Sequence, residues 1–264
     1  MHSSIRPAAV AGLFYPRESG ELAQLLQGYL CQASVPEGRG RPLAIVTPHA
    51  GYVYSGSTAA VAWASASSWA DQIQRVLLLG PAHRVALRGI ATSPAAAWQT
   101  PLGAVALDQR GARQLQELPF VVESALAHAE EHSLEVQVPF IQTLYPHAQL
   151  LPLLVGDASP EEVAELLRPY WHDPHTLIAI STDLSHYHDY ATAQQLDGST
   201  ALAIEQRRWS VIGPEQACGC RALNGLLQLA GEEGRPVQTL ALCNSGDTAG
   251  DKRRVVGYGA FVVH

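Results

Sequence analysis

Lysine is nearly absent from this chain. Of its 17 basic residues only Lys252 is a lysine, so Schiff-base chemistry has one remote candidate. Charged residues of either sign are scarce, at 16% against the roughly 25% of ordinary globular chains. That scarcity argues against disorder and against a long charged coiled coil. The 17 basic residues face 24 acidic ones, a formal charge of −7. No run of Lys and Arg offers a local exception, so nucleic acid is not an expected partner. No apolar run reaches the ~18 residues that a membrane-spanning helix needs. Met1 to Ala11 lacks the apolar centre of a secretory signal. The four cysteines, Cys31, Cys218, Cys220 and Cys243, form no CxxC pair, and the CxC of Cys218 and Cys220 reads as core packing. A cytoplasmic protein with reduced thiols is therefore expected. Nucleotide-cradling patterns (GxGxxG, GxxxxGK[ST]), the GxSxG elbow and HExxH are all missing.

Against these absences stand 11 histidines. Imidazole is both the proton carrier of neutral pH and the commonest metal ligand, so their placement matters. Short apolar, β-branched runs read as buried strands at Leu43 to Thr47, Val76 to Leu79, Leu150 to Val155, Leu177 to Ile180, Val237 to Leu242 and Val255 to Val263. Helical patterns cover Glu21 to Leu30, Ser57 to Trp69, Leu134 to Leu144 and residues 217–229. Ser159-Pro160-Glu161-Glu162 has the form of a capped helix start. Residues 33–42 read as a loop. Strands alternating with helices predict a single α/β domain over residues 1–264, with a mixed, partly parallel sheet.

Three of the predicted strands run into histidines: Thr47-Pro48-His49, Gly80-Pro81-Ala82-His83, and Ser181-Thr182-Asp183-Leu184-Ser185-His186-Tyr187-His188. In open α/β sheets ligands bind beyond the carboxyl ends of strands. Imidazoles gathered there suit Zn, Cu or Fe, and a carboxylate would complete a facial triad for non-heme iron. Asp183, Glu131, Glu135, Asp247 and Asp251 are the candidate carboxylates. The polar loop from Cys243 to Asp251 follows a further strand, so one of its acidic members, Asp247 or Asp251, is expected to reach the same crevice, with Cys243 a possible soft ligand. Glu131, His132 and Glu135 crowd the start of the helix expected near Ser133. Tyr52, Tyr54 and Tyr187 could wall the pocket or simply pack. His2, His147, His172, His175 and His264 read as surface residues, and His128 as structural.

The same segments resemble the Memo family. The resemblance is carried by Arg6 to Pro16, Thr47 to Gly56, Gly80 to His83, Glu131 to Gln137, Ser181 to Tyr187 and Gly250 to Tyr258, and spans essentially the whole chain. It implies a three-layer α/β/α fold similar to class III extradiol ring-cleavage dioxygenases. Those enzymes hold Fe(II) with two histidines and a carboxylate. By that pattern His49 and His83 are metal ligands, with Fe(II) favoured over Cu or Zn. His186 falls in the acid/base position, oriented by Asp183, and is an alternative ligand. Eukaryotic members place a further cysteine ligand in the C-terminal motif, where Asp247 stands here and Cys243 lies four residues earlier. Prokaryotic members are called system protein B beside AMMECR1-like and radical-SAM proteins. The resemblance leaves three activities open: a metal-dependent oxidoreductase acting on a small molecule, a metal- or peptide-binding scaffold beside those partners, and a metal-dependent hydrolase. For the first, His49, His83 and Asp247 should face one point.

Overall fold

In a computed structural model, residues 4–36 and 40–264 are described. His2 and part of the loop expected at 33–42 lie outside them. Strands β1 (Ile5–Arg6), β2 (Ala44–Thr47), β3 (Arg75–Pro81), β4 (Ile90–Thr92), β5 (Ala97–Thr100) and β6 (Gly103–Ala106) fall in the first half of the chain. They are followed by β7 (Val121–Glu123), β8 (Gln149–Val155), β9 (Thr176–Ser181), β10 (His186–His188), β11 (Val237–Asn244) and β12 (Val255–Val263). The helices are α1 (Ser19–Gln32), α2 (Tyr52–Ala64), α3 (Gln109–Leu115), α4 (Ala125–Ala129), α5 (Val138–Leu144), α6 (Pro160–Leu167), α7 (Tyr190–Glu205) and α8 (Cys220–Glu232).

The main sheet runs β10-β12-β2-β9-β3-β8-β4-β7, with β11 on the other side of β12. Its centre, β2-β9-β3-β8, is parallel. β12 and β11 extend one side antiparallel, and β4 joins β8 antiparallel on the other. A small second sheet, β1-β5-β6, covers part of one face.

Central strands buried on both faces carry apolar residues throughout rather than in alternation. Their two faces feed two separate cores. Ala44, Val46, Leu77, Leu79, Leu151, Leu153, Ile178 and Ile180 pack toward α3, α6 and α8. Ile45, Val76, Leu78, Leu150, Leu154, Leu177 and Ala179 pack toward α1, α2 and α5. The result is a three-layer α/β/α sandwich, the predicted class.

Local chemistry explains the boundaries. Ser159 caps α6 with the full reciprocal box to Glu162. Pro152 sits inside β8, where β4 pairs only with Leu153–Val155 and makes no demand on the missing N–H. Helix α2 starts at Tyr52, five residues before the expected Ser57, directly after Gly51. The stretch expected to be helical from Leu134 opens instead with a 3-10 turn, Glu135–Gln137, and becomes α-helical at Val138. Among the described residues no helix is long and apolar enough to cross a membrane.

Candidate metal centre

Parallel pairing puts the carboxyl ends of β2, β3 and β9 on one edge. Thr47 of β2 is level with Ser181 of β9, and Leu79 of β3 with Ile180. Each chain then places a polar group two residues past its strand end: His49, His83 and Asp183. A third imidazole arrives from the connection between α4 and α5. His49, His83 and His132 offer ligand atoms that all lie within 4.8 Å of one another. Their ring centroids are 5.0–5.5 Å apart, with His83 and His132 nearly parallel and His49 edge-on to both.

Hydrogen-bond accounting fixes which nitrogens are free. The Trp63 indole N–H can only donate, and it reaches Gln137 Oε1 at 2.8 Å. The Gln137 amide NH2 must then donate to Pro48 O and to Ser181 Oγ. Ser181 has one proton, and it goes to Ser133 O at 2.6 Å. His49 Nδ1, 3.0 Å from Ser181 Oγ, is therefore the donor of that pair. Its Nε2 then carries the lone pair, on the side of the cavity.

His83 is set in the same way by Glu131. Glu131 Oε1 accepts from His83 Nδ1 at 3.0 Å and from the backbone N–H groups of His132 and Ser133. Oε2 accepts the His83 N–H at 2.5 Å. Burial opposes charge on this carboxylate, but the bonds from His83 and Ser133 outweigh it and hold its pKa near 2. An ionised acceptor fixes a proton on His83 Nδ1, which leaves Nε2 as the nitrogen that can offer a lone pair. His132 Nδ1 is buried and makes no hydrogen bond, although Glu131 Oε1 is 3.3 Å away. Burial pushes His132 down to about 4 and His49 well below the usual imidazole range, the neighbouring imidazoles adding to the effect. Neutral rings with available lone pairs fit a first-row transition metal.

The cluster floors a cavity of about 710 Å³. Asp183 lines it, but its carboxylate accepts the His49 backbone N–H at 2.7 Å instead of orienting His186. Burial raises Asp183 to about 7. His186 lines the same cavity, half-buried, its pKa lowered chiefly by burial. Tyr54 and Tyr187 line it too, with Phe14 and Tyr258.

Other expected members sit elsewhere. Asp247 does not reach the imidazoles. Its carboxylate closes a local box by accepting the Asn244 N–H at 3.0 Å, and it accepts a hydrogen bond from the Tyr190 hydroxyl as well. Cys243 sits beside it in a separate small depression, with Sγ 3.0 Å from Thr58 Oγ1. Glu135 turns away from the site. It accepts from Arg6 Nη1, the N–H groups of Ala9 and Val10, and the Tyr15 hydroxyl, and so anchors the N-terminal segment. Tyr52 is core, its hydroxyl donating to Val136 O.

Sequence reasoning undervalued two residues. His132 stands in the cluster and not merely around it. Cys218, read as packing, lines the cavity with Sγ 3.3 Å from His49 Nε2. Burial first, and then Asp183, raise that thiol to about 12. A neutral S–H therefore donates to the lone pair that a metal would use.

A family model described as "Memo-like protein" matches residues 6–262. A MEMO1 family protein of Thermotoga petrophila is 33% identical over 275 residues, covering 96% of this chain and 97% of the relative. One from Nitrosopumilus maritimus is 31% identical, with 97% and 98% covered. Another from Aquifex aeolicus is 31% identical, with 96% and 97% covered. Among solved structures, an uncharacterized protein from Escherichia coli K12 aligns with a TM-score of 0.48 at 14% identity, over 84% of this chain and 99% of that one.

Proposed function

Because the chain belongs to the Memo family, and because its fold gathers three imidazoles at one cavity floor, we propose that it is a metal-dependent oxidoreductase acting on a small molecule. His49, His83 and His132 would hold the metal, Fe(II) first, with Cu and Zn suited to the same donors. The juxtaposition of the three ligand atoms is the observation that carries this reading. When bound, such an ion supplies Lewis acidity and, for iron or copper, redox capacity.

The chain's own residues do the remaining work. Ser181 and Glu131 hold two ligand rings in the tautomer that turns Nε2 to the cavity. His186, which lines the cavity, would take or return a proton. Phe14, Tyr54, Tyr187 and Tyr258 give the cavity an aromatic lining. The four cysteines are free, in keeping with the cytoplasmic location proposed with this reading.

The donor set lacks a carboxylate, and that favours one alternative. A three-histidine site with an open position is also the arrangement that activates water, so metal-dependent hydrolysis is the second reading.

The deciding experiment is anaerobic purification with elemental analysis of wild type and of H49A/H83A, beside melting curves. The double variant is expected to melt cooperatively and to carry no stoichiometric metal. Full metal occupancy in the variant would end the assignment. Oxygen uptake by the iron-loaded wild type, set against ester hydrolysis by the zinc-loaded form, separates the two reactions.

A further inference from the structure

The mouth of the cavity carries two arginines, Arg84 just after His83 and Arg254 at the head of β12. Most guanidinium groups with a close acidic neighbour are committed to it: Arg6 to Glu135, Arg75 to Asp108 and Asp173, Arg168 to Glu232, Arg221 to Asp157, and Arg253 to Asp251. Among the described residues the side chains of Arg84 and Arg254 have no hydrogen bond and no ion pair. Arg254 lies over the ring of Tyr187, 5.0 Å from its centroid.

Tyr187 is itself unusual. Its φ is 63°, in the left-handed region that a tyrosine rarely adopts. That backbone sets an exposed ring on the rim, between His186 and His188, where it supports Arg254. Strain of this kind persists where surrounding structure imposes it, and it concentrates at ligand sites.

The acidic groups that line the cavity do not cancel these charges. Asp251 is bound to Arg253, and Asp183 is buried against the His49 backbone. On a chain of net charge −7, the mouth of this one cavity is thus cationic. The walls are aromatic, with Tyr54 among the lining residues and the Phe14 ring packed on that of His132, 4.7 Å between centroids.

We infer that the cavity selects a small aromatic acid, with Arg84 and Arg254 as specificity-determining residues that receive its carboxylate. The aryl body would lie along Phe14, Tyr54 and Tyr187, and an oxygen substituent would face the histidine floor. This rests on the reading of the cavity as a substrate site, but the charge preference can be tested apart from the metal.

The test uses 3,4-dihydroxybenzoate and its uncharged counterpart 1,2-dihydroxybenzene, titrated calorimetrically into zinc-loaded and metal-free full-length protein. Zinc prevents oxidative turnover during the titration. Wild type should bind the acid about tenfold more tightly than the neutral diol, with the preference shrinking as salt rises from about 20 mM to about 500 mM. In R84Q/R254Q the two probes should agree to within about twofold, with zinc content, melting temperature and neutral-diol affinity unchanged. If the double variant melts lower, R84Q alone carries the test, since the Arg84 side chain is exposed and makes no hydrogen bond or ion pair. Its preference should fall at least about threefold. A wild type that binds neither probe, or binds both equally, overturns the inference. So does a preference that survives in the variants. A protein that prefers the acid but takes up no zinc keeps the arginine assignment and loses the metal-centre reading. Zinc uptake without a preference gives the reverse.

Discussion

Replacing Glu131 by glutamine isolates the carboxylate's contribution to the site, because shape is kept and only charge and one acceptor are lost. Glu131 is 2% exposed and accepts four hydrogen bonds, three at Oε1 and one at Oε2. A glutamine amide NH2 turned to the Oε1 side would face three donors. Turned to the Oε2 side it faces only the His83 N–H, so that orientation wins. One charge-assisted bond is then lost, one buried N–H is left without an acceptor, and three bonds weaken from charged to neutral. The expected cost is about 2–4 kcal/mol. For a chain of this length that lowers the melting temperature by about 4–7 °C. The same change leaves His83 Nδ1–H on a neutral oxygen and makes Nε2 a poorer donor, so zinc affinity by chelator competition should fall about 10–100-fold. Wild-type stability in E131Q would show that no ionised carboxylate organises this loop. Lowered stability with full zinc affinity would show that Glu131 serves folding alone and does not tune His83.

Three further outcomes follow from other contacts. His128 is buried, and burial lowers its pKa to about 4. Since the unfolded chain binds this proton near the usual imidazole pKa, about 6.5, stability is intact above that value and is lost as pH falls toward 4. The share of this one group between pH 7 and pH 5 is about 2 kcal/mol, and H128Q should flatten a urea-midpoint profile by that amount. An unchanged acid slope in H128Q would refute this. E135Q strips the charge from a fully buried partner of Arg6 and should cost about 3–5 kcal/mol, with protease cleavage appearing first in the segment before α1. Cleavage no faster than in wild type would contradict the anchoring role. D247N should leave metal content untouched, because the carboxylate bonds to Asn244 and Tyr190. Loss of metal in that variant would restore Asp247 to the site.

The parts legible in the sequence were those whose signal is local or fully buried. Strands β2, β3 and β9 are apolar on both faces, and their endings announce His49, His83 and Asp183. Strands β4 to β7 were missed because each has only three or four residues, too few for a period to show. Helix α7 was missed because its buried positions are mostly small or polar, Ala193, Asp197, Thr200, Ala201 and Ala203, which leave no apolar stripe. Asp247 carried a usable signal: an asparagine three residues before it makes a capping pair, and the carboxylate stays with that pair. Cys218 meets His49 across 169 residues of chain, beyond the reach of any spacing rule. Its marker was Gly219, where an added Cβ would come within 2.7 Å of Thr182 Cβ. Only glycine lets the start of α8 close on the end of β9 and bring the thiol to the imidazole.

The floor and the rim of the cavity are built on opposite principles. On the floor, orientation passes from the core outward, from Trp63 in α2 through Gln137 and Ser181 to His49. Because α2 begins three residues after His49, that route returns to where it started, and the ring is held by its own helix through the opposite wall. Each member of the route is buried, and each proton in it has one place to go, so the lone pair of His49 is decided before any ligand arrives. The rim has no such closure. Arg84, Arg254 and Tyr187 are exposed: Arg254 lies over the Tyr187 ring, Tyr187 keeps a left-handed backbone, and the Arg84 side chain makes no hydrogen bond or ion pair. A rigid floor with an adjustable rim separates two tasks. The chemistry that three imidazoles support is set by the fold, whereas the choice among molecules that reach them can change at the surface without disturbing the core.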